Sequence, residues 1–246
     1  MITNVEHVHV IRTFSGNIDR SSVSVVAAHG DSVLIQVVLD VQEQRLQQIT
    51  DYFAYNAGDA AGNPTRPPSL LLLPPVNNNL FRQATGLLHR DEDELVVAEL
   101  RIVEASKGQM PASKMAELFI LRSGKLSVIQ PPISVDDIGE ATLMSLWQTR
   151  EVFPIDDRLL CWVNMSHHGG IIFSDVFDES LVLRYVMFPE EAEKPISGPD
   201  PYQKVCIAPG GTVKFVNILP PLLLRRRGCH PLPAFSRSIR HHHLDA

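Results

Sequence analysis

The residues best suited to chemistry are concentrated in one stretch, residues 159–180, which reads LLCWVNMSHHGGIIFSDVFDES. It holds a cysteine, two adjacent histidines and two aspartates, side chains that can bind a metal ion or serve as nucleophile, acid or base. A hydrolase-type or metal-dependent enzyme would have to use this stretch. Its candidate cluster is His167, His168, Asp175 and Asp178.

The spacing within this stretch argues against a catalytic or metal centre. Adjacent side chains of a strand point to opposite faces, so His167 and His168 cannot easily bind the same ion. Ser166 lacks the G-x-S-x-G setting of a nucleophile elbow, and Cys161 lies in an apolar run where cysteine is usually a small buried hydrophobe. We therefore predict no catalytic, cofactor-binding or metal-binding residue and interpret NMSHHGG as a polar hairpin loop between two buried strands.

Three other segments could carry chemistry, and each has a simpler explanation. His7 and His9 share one face of a strand, yet no third ligand can be named. The acidic run at residues 89–94 is typical of a solvated turn. The arginines at 225–227 could form a localisation signal or a nucleic-acid patch, but three arginines alone are weak evidence.

The charge distribution argues against nucleic-acid binding. The chain has a net charge of −6, and from Pro220 onward it has five arginines against one acid, Asp245, a net +4. Residues 1–219 therefore carry −10. Binding to a phosphate backbone depends on clustered lysines and arginines, so we expect no nucleic-acid partner.

The cysteines and the N-terminal sequence favour a cytoplasmic or nuclear protein. Cys161, Cys206 and Cys229 are widely spaced and form no C-x-x-C motif, which fits a reducing compartment. The N-terminal sequence lacks the basic start and apolar run of a signal peptide. No apolar run has membrane-spanning length, so we expect no membrane association.

Short apolar runs separated by turn residues predict a mainly β chain. Four hairpins are predicted, with first strands starting near Ser22, Ala116, Ile171 and Lys204. Each turn has a glycine or an Asp/Ser pair suited to tight reversal. Two short helices are predicted as well, at residues 41–49 (VQEQRLQQI) and 137–147 (DIGEATLMSLW).

Prolines that end apolar runs recur at a constant interval. Pro75, Pro132 and Pro189 are each 57 residues apart. A repeat of this length with several short strands is typical of a four-stranded antiparallel propeller blade. We predict an N-terminal segment at 1–20, a propeller-like β region at 21–219, and a basic tail without regular structure at 220–246.

The residues around these strands resemble a known plant family. Residues 159–189 and KVCIAPGGTVKFVNI at 204–218 are similar to the plant domain of unknown function 1618, whose signature falls here at 158–219. The upstream DYFAYNAG and PPSLLLLPP are similar to its lead-in, so the resemblance covers roughly residues 22–219. The signature positions are Trp162, Gly170, Asp175, Arg184, Tyr185 and Pro189.

The resemblance implies an incomplete propeller-like fold and no assigned activity. Trp162 and Tyr185 would pack within or between blades, and Asp175 would hold a turn. Asn164 replaces the aspartate usual in the family, and the basic tail replaces further strands, which suggests a truncated or aberrant C-terminus. The leading interpretation is a protein-interaction module and not an enzyme. The alternatives are the enzyme described above and a non-functional truncated gene product.

Overall fold

The computed structural model describes residues 17–42, 46–58, 67–76, 79–90, 94–104, 114–122, 124–134, 146–166, 169–188, 202–208, 212–218 and 240–244. These residues form sixteen strands. The first eight are β1 (Asn17–His29), β2 (Ser32–Gln42), β3 (Leu46–Asn56), β4 (Ser69–Leu72), β5 (Thr85–Arg90), β6 (Glu94–Glu104), β7 (Lys114–Arg122) and β8 (Lys125–Ile129). The others are β9 (Ile133–Ser134), β10 (Glu151–Ile155), β11 (Leu159–Asn164), β12 (Gly170–Asp175), β13 (Leu183–Met187), β14 (Tyr202–Ile207), β15 (Val213–Ile218) and β16 (Arg240–Leu244).

The strands form four sheets in chain order. The first sheet is β1-β2-β3-β4, the second is β5-β6-β7-β8, and the third is β10-β11-β12-β13. Strand β9 joins the third sheet in parallel beside β13. The fourth sheet is β14-β15-β16. All other pairings are antiparallel between consecutive strands, so the mainly β class and the four-stranded antiparallel sheets predicted from the sequence are confirmed.

The four predicted hairpins are all present, as β1-β2, β7-β8, β12-β13 and β14-β15. Gly30 and Gly124 occupy two of the turns with φ of 57° and 71°, a region that glycine adopts without steric cost. Residues 164–170 are predicted as a hairpin loop; the structure pairs Asn164 with Gly170 as the end of β11 and the start of β12, and His167 and His168 between them lie outside the described residues.

The predicted helix at residues 41–49 is wrong. The register pairs Leu39 with Ile49 and Val41 with Gln47, so its two ends belong to neighbouring antiparallel strands. Glutamine and arginine favour helices locally, but the long ladder between β2 and β3 overrides that preference. Of the second predicted helix only Leu146 and Trp147 are described, and Leu146 is helical. Residues 137–145 lie outside the described residues.

The sheets pack face to face through three hydrophobic clusters. The first two sheets share a cluster that includes Leu34, Ala54, Leu87 and Val97. The second and third share the largest, formed around Leu118, Leu160, Trp162 and Leu183. The third and fourth share the cluster of Val163, Phe173, Val205 and Phe215. The core is therefore a series of sheet-on-sheet layers.

Two predicted boundaries differ from the strands. Strand β1 begins at Asn17, so the predicted division at residue 20 falls inside a strand. Five residues of the predicted irregular tail, Arg240–Leu244, form β16 and pair with β15. Within the described part of the chain, no helix is long and apolar enough to cross a membrane.

Candidate functional site

The face of the first sheet that is turned away from the second sheet is largely apolar, although Asp51 lies on it opposite Val37. The ladder places Val23 opposite Val37, Val25 opposite Ile35, and Ile35 opposite Phe53. Leu72 extends this row on β4, opposite Phe53. We call the surface formed by these six side chains the outer face of the first sheet.

The β1 part of this outer face is exposed in spite of its composition, and the other four side chains are half-buried. Val23 is 69% exposed and Val25 is 50% exposed, whereas Leu34 on the opposite face of the sheet is fully buried. None of the six side chains belongs to the three hydrophobic clusters of the described residues. A partly exposed row of apolar side chains on one sheet face is a feature of interaction sites.

A cleft of about 520 Å³ is the second candidate site, and we call it the first-strand cleft. The first strand of every sheet contributes to it, and among the described residues each of β1, β5, β10 and β14 is an edge strand of its sheet. The lining residues are Val26, Ala27, Ala28, Arg82, Gln83, Thr85, Gly86, Leu87, Arg150, Glu151, Val152, Phe153, Pro154 and Lys204.

The charged groups of the cleft are mainly positive. Arg82 and Arg150 are exposed and line it directly. Lys204 Nζ lies 2.8 Å from Glu151 Oε1, an ion pair between the fourth and third sheets. The four groups together carry +2, opposite in sign to the chain's net charge of −6.

A buried serine, a histidine and an aspartate meet at the β1-β2 turn, and their geometry does not form a proton relay. Ser32 Oγ lies 3.1 Å and Asp31 Oδ1 lies 3.4 Å from His89 Nδ1. A relay needs the serine and the acid on different ring nitrogens, whereas here both approach the same one. Asn56 Nδ2 also donates to Ser32 Oγ at 3.0 Å. The cluster therefore satisfies buried polar groups and ties β2, β3 and β5 together.

A buried ion pair holds the segment before β5. Arg101 Nε and Nη2 bind the two carboxylate oxygens of Glu99 at 2.8 Å and 2.7 Å, and Glu99 is fully buried. Glu99 also accepts a hydrogen bond from the Phe81 backbone N–H, and Arg101 donates to the Asn79 carbonyl. The Arg101 guanidinium lies 4.0 Å above the Phe119 ring. This pair fixes the chain on either side of Leu80, close to Arg82 of the cleft.

A second charged cluster joins the second and third sheets. Glu94 binds both Arg90 and Arg122, and both guanidiniums lie over the Phe177 ring, at 4.1 Å and 5.4 Å. Desolvation raises the pKa of Glu94, but hydrogen bonds and charge from the two arginines outweigh it, so the pKa is lowered.

The apolar signature residues lie in the core between the second and third sheets. Trp162 is fully buried and its indole N–H donates to the Ala84 carbonyl at 2.9 Å. Tyr185 packs edge-on against Trp147, and burial raises the pKa of its hydroxyl to about 12. A Cβ on Gly170 would lie 2.5 Å from the Val186 carbonyl oxygen, so this position leaves no room for a side chain.

The structure does not bring the candidate enzyme cluster together in the part of it that is described. Asp175 accepts a hydrogen bond from the Phe177 N–H and pairs with Arg158. Asp178 accepts from the Ser180 N–H in a separate turn. Each aspartate thus holds a turn of its own. His167 and His168 lie outside the described residues, as does Pro189.

The remaining sequence candidates give no site in the described parts of the chain. Cys161 is buried, and burial raises the pKa of its thiol to about 12, which removes it as a nucleophile. Arg184 is exposed on β13. His7, His9 and the arginines at 225–227 lie outside the described residues. No group of three or more His, Cys, Asp or Glu side chains in the described ranges could hold a metal ion.

The sequence reasoning missed the basic groups of the cleft. Arg82 lies three residues before β5, Arg150 lies one residue before β10, and Lys204 is on β14. The signal that could have found them is a basic residue near the first strand of successive sheets. Such a signal becomes visible only once the sheet boundaries are known.

Comparisons with known proteins add little. No known family model matches the chain, and no curated protein matches it. Among solved structures, the chain is similar to a xylan beta-1,4-xylosidase from Bacillus halodurans C-125, at 15% identity and a TM-score of 0.35. The match covers 83% of this chain and 38% of that enzyme, so the chain spans well under half of it. Neither its fold nor its activity is transferred to this chain at that similarity.

Proposed function

We propose that the chain is a protein-interaction module that binds a partner protein through the outer face of the first sheet. The observation that carries the proposal is the exposure of an apolar sheet surface, with Val23 at 69% and Val25 at 50%. Large exposed apolar surfaces are uncommon on monomeric proteins because their burial is favourable, at about 25 cal/mol per Å².

The partner surface that fits this face is the apolar face of another β-sheet. Every internal interface of the described structure joins two sheets through apolar faces, with Leu34 and Val97 in one layer and Val163 and Phe215 in another. The outer face has the same residue types in the same strand register. It is therefore suited to the same kind of sheet-on-sheet packing.

We also propose membership of the plant domain of unknown function 1618 family, on the resemblance of residues 159–189 and 204–218 to it. We also propose that the four sheets are blades of a propeller-like arrangement. Its support is that β1, β5, β10 and β14 all contribute residues to one cleft. A module of this kind in the cytoplasm or nucleus is consistent with the wide spacing of the three cysteines, which form no C-x-x-C motif.

The test is quantitative affinity purification with the full chain as bait in an extract of the source cells. The double variant Val23→Asp/Val25→Asp places two charges on the outer face, and Val128→Asp places one on β8, where the side chain is 49% exposed. We expect a partner that is enriched by the wild type and by Val128→Asp and is lost with the double variant.

An unchanged set of captured proteins with the double variant would contradict the proposal. Sedimentation velocity of the purified chain supplies the second measurement. A dimer that Val23→Asp/Val25→Asp converts to a monomer would identify the occupant as a second copy of the chain, which would overturn the proposal of a different partner.

A further inference from the structure

The first-strand cleft has the size and position of a ligand site, independently of the outer face of the first sheet. Its volume of about 520 Å³ lies within the range of small-molecule sites, roughly 300–1,000 Å³. Residues from all four sheets line it, including Ala27, Thr85, Phe153 and Lys204. A site that several sheets build jointly is held by the packing of the whole core.

Small side chains keep the cleft open on two of its sides. Ala27 and Ala28 line it on β1, and Gly86 lines it on β5. A Cβ on Gly86 would lie 2.7 Å from Leu160 and from Val152, so the absence of a side chain lets β5 approach the third sheet closely. Strand β5 lies close to the third sheet at Gly86, and β1 presents only small side chains at Ala27 and Ala28. The space between β1 and β10 is therefore left unfilled.

Two guanidiniums in the cleft have no ion-pair or hydrogen-bond partner among the described residues. These are Arg82 and Arg150, which reach the cleft from the segments before β5 and β10. By contrast, Arg90, Arg101 and Arg122 are all paired with carboxylates. A guanidinium presents a planar fork of N–H donors that matches carboxylate or phosphate.

The geometry points to a binding site for a small anionic ligand with two or more acidic groups. Arg82 and Arg150 bind the acidic groups of the ligand, and Lys204 adds a third positive charge that Glu151 offsets in the free protein. The apolar body of the ligand contacts the apolar lining of the cleft, which is formed by Ala27, Ala28, Val152 and Phe153. The ligand is either a polycarboxylate or a phosphorylated compound, since both present the same acceptor chemistry.

The experiment is isothermal titration calorimetry of the full chain at low ionic strength, with citrate as the carboxylate probe and inorganic pyrophosphate as the phosphate probe. We expect one probe to bind with a Kd below about 1 mM. Arg82→Gln/Arg150→Gln should weaken that binding about tenfold or more, because it removes both bidentate donors. Glu151→Gln should strengthen binding, since Glu151 is the acidic group among the described residues that line the cleft.

Arg184→Gln is the matched control. Arg184 is an exposed arginine outside the cleft. Its substitution by glutamine removes one positive charge, as each of the two cleft substitutions does. We expect less than about a twofold change in Kd for this variant. Binding of neither probe to the wild type, equal weakening by the control, or full binding by Arg82→Gln/Arg150→Gln would each overturn the inference. Because Arg82, Arg150 and Arg184 are exposed, we expect unchanged thermal unfolding of the arginine variants, which separates lost binding from lost folding.

Discussion

Individual residues carry much of the packing between the second and third sheets, and Trp162 has the largest fully buried side chain among them. It is fully buried, and its indole N–H is bonded to the Ala84 carbonyl. The resemblance implied a packed tryptophan at this position. It could not identify the hydrogen-bond acceptor, which lies 78 residues earlier in the chain.

Two substitutions of Trp162 should destabilise the protein to different extents. Trp162→Phe removes the hydrogen bond and some volume, and should lower the free energy of unfolding by about 1–3 kcal/mol. Trp162→Ala leaves a large cavity and should cost about 3–5 kcal/mol. Urea unfolding followed by circular dichroism measures both values. Val128→Thr, on the exposed β8, is the control and should stay within about 0.5 kcal/mol. Similar values for all three variants would show that Trp162 is not part of the core.

Glu94 is the residue from which a pH dependence follows. Its pKa is lowered in the folded protein by Arg90 and Arg122, in spite of desolvation. A carboxylate with a lowered folded-state pKa contributes stability above its unfolded-state pKa, and that contribution disappears as the pH falls through the folded-state pKa. The pH range in which Glu94 loses its stabilising contribution therefore begins near the ordinary carboxyl pKa of 4.5 and extends below it.

Glu94→Gln should accordingly be less stable than the wild type at neutral pH, with a difference that shrinks below about pH 4.5. Thermal unfolding of both proteins across this range measures the difference. Arg122→Gln removes one of the two cations and should reproduce part of the effect. A difference in melting temperature that is constant from neutral to acidic pH would contradict the role assigned to Glu94.

At the level of elements, the proline spacing predicted the sheets better than local propensity did. Pro75 follows β4 and Pro132 follows β8, which are the last strands of the first and second sheets. Position 189 follows β13, the last antiparallel strand of the third sheet. Hairpins were predictable because apolar runs and turn residues alternate over short distances.

Local patterns failed where distant parts of the chain decide the structure. Residues 41–49 have helix-favouring side chains, yet the pairing of Val41 with Gln47 places their ends in two strands. The cleft was not predictable for the same reason, since Arg82, Arg150 and Lys204 belong to three different sheets or their leading segments. The spatial order of the sheets cannot be read from any short stretch.

The close contact between β12 and β13 depends on the absence of a side chain at Gly170. A Cβ there would lie 2.5 Å from the Val186 carbonyl oxygen and 2.6 Å from the Tyr185 ring. Gly170→Ala should therefore lower the free energy of unfolding by about 1–3 kcal/mol, because backbone atoms must shift. Arg184→Ala, exposed on the same β13, should change it by less than about 0.5 kcal/mol. Chemical denaturation would contradict the contact if both variants were equally stable.

At the level of the whole molecule, four sheets are stacked through three apolar layers, and the outer face of the first sheet continues the same pattern without a described neighbour. The first-strand cleft lies where the first strands of the sheets approach each other. The molecule thus presents two different surfaces. One is apolar and suited to a protein sheet, and the other is basic and suited to a small anion.

Site-specific photo-cross-linking is the most direct test of the proposed interface. A photoreactive phenylalanine analogue at Val25 probes the outer face, and the same analogue at Val128 is the control, because the two positions are 50% and 49% exposed. We predict that the protein with the analogue at position 25 forms a discrete cross-linked adduct with a partner chain. The protein with the analogue at position 128 should form none. Equal adducts from both positions, or none from position 25, would contradict the proposal that the outer face of the first sheet binds a partner protein.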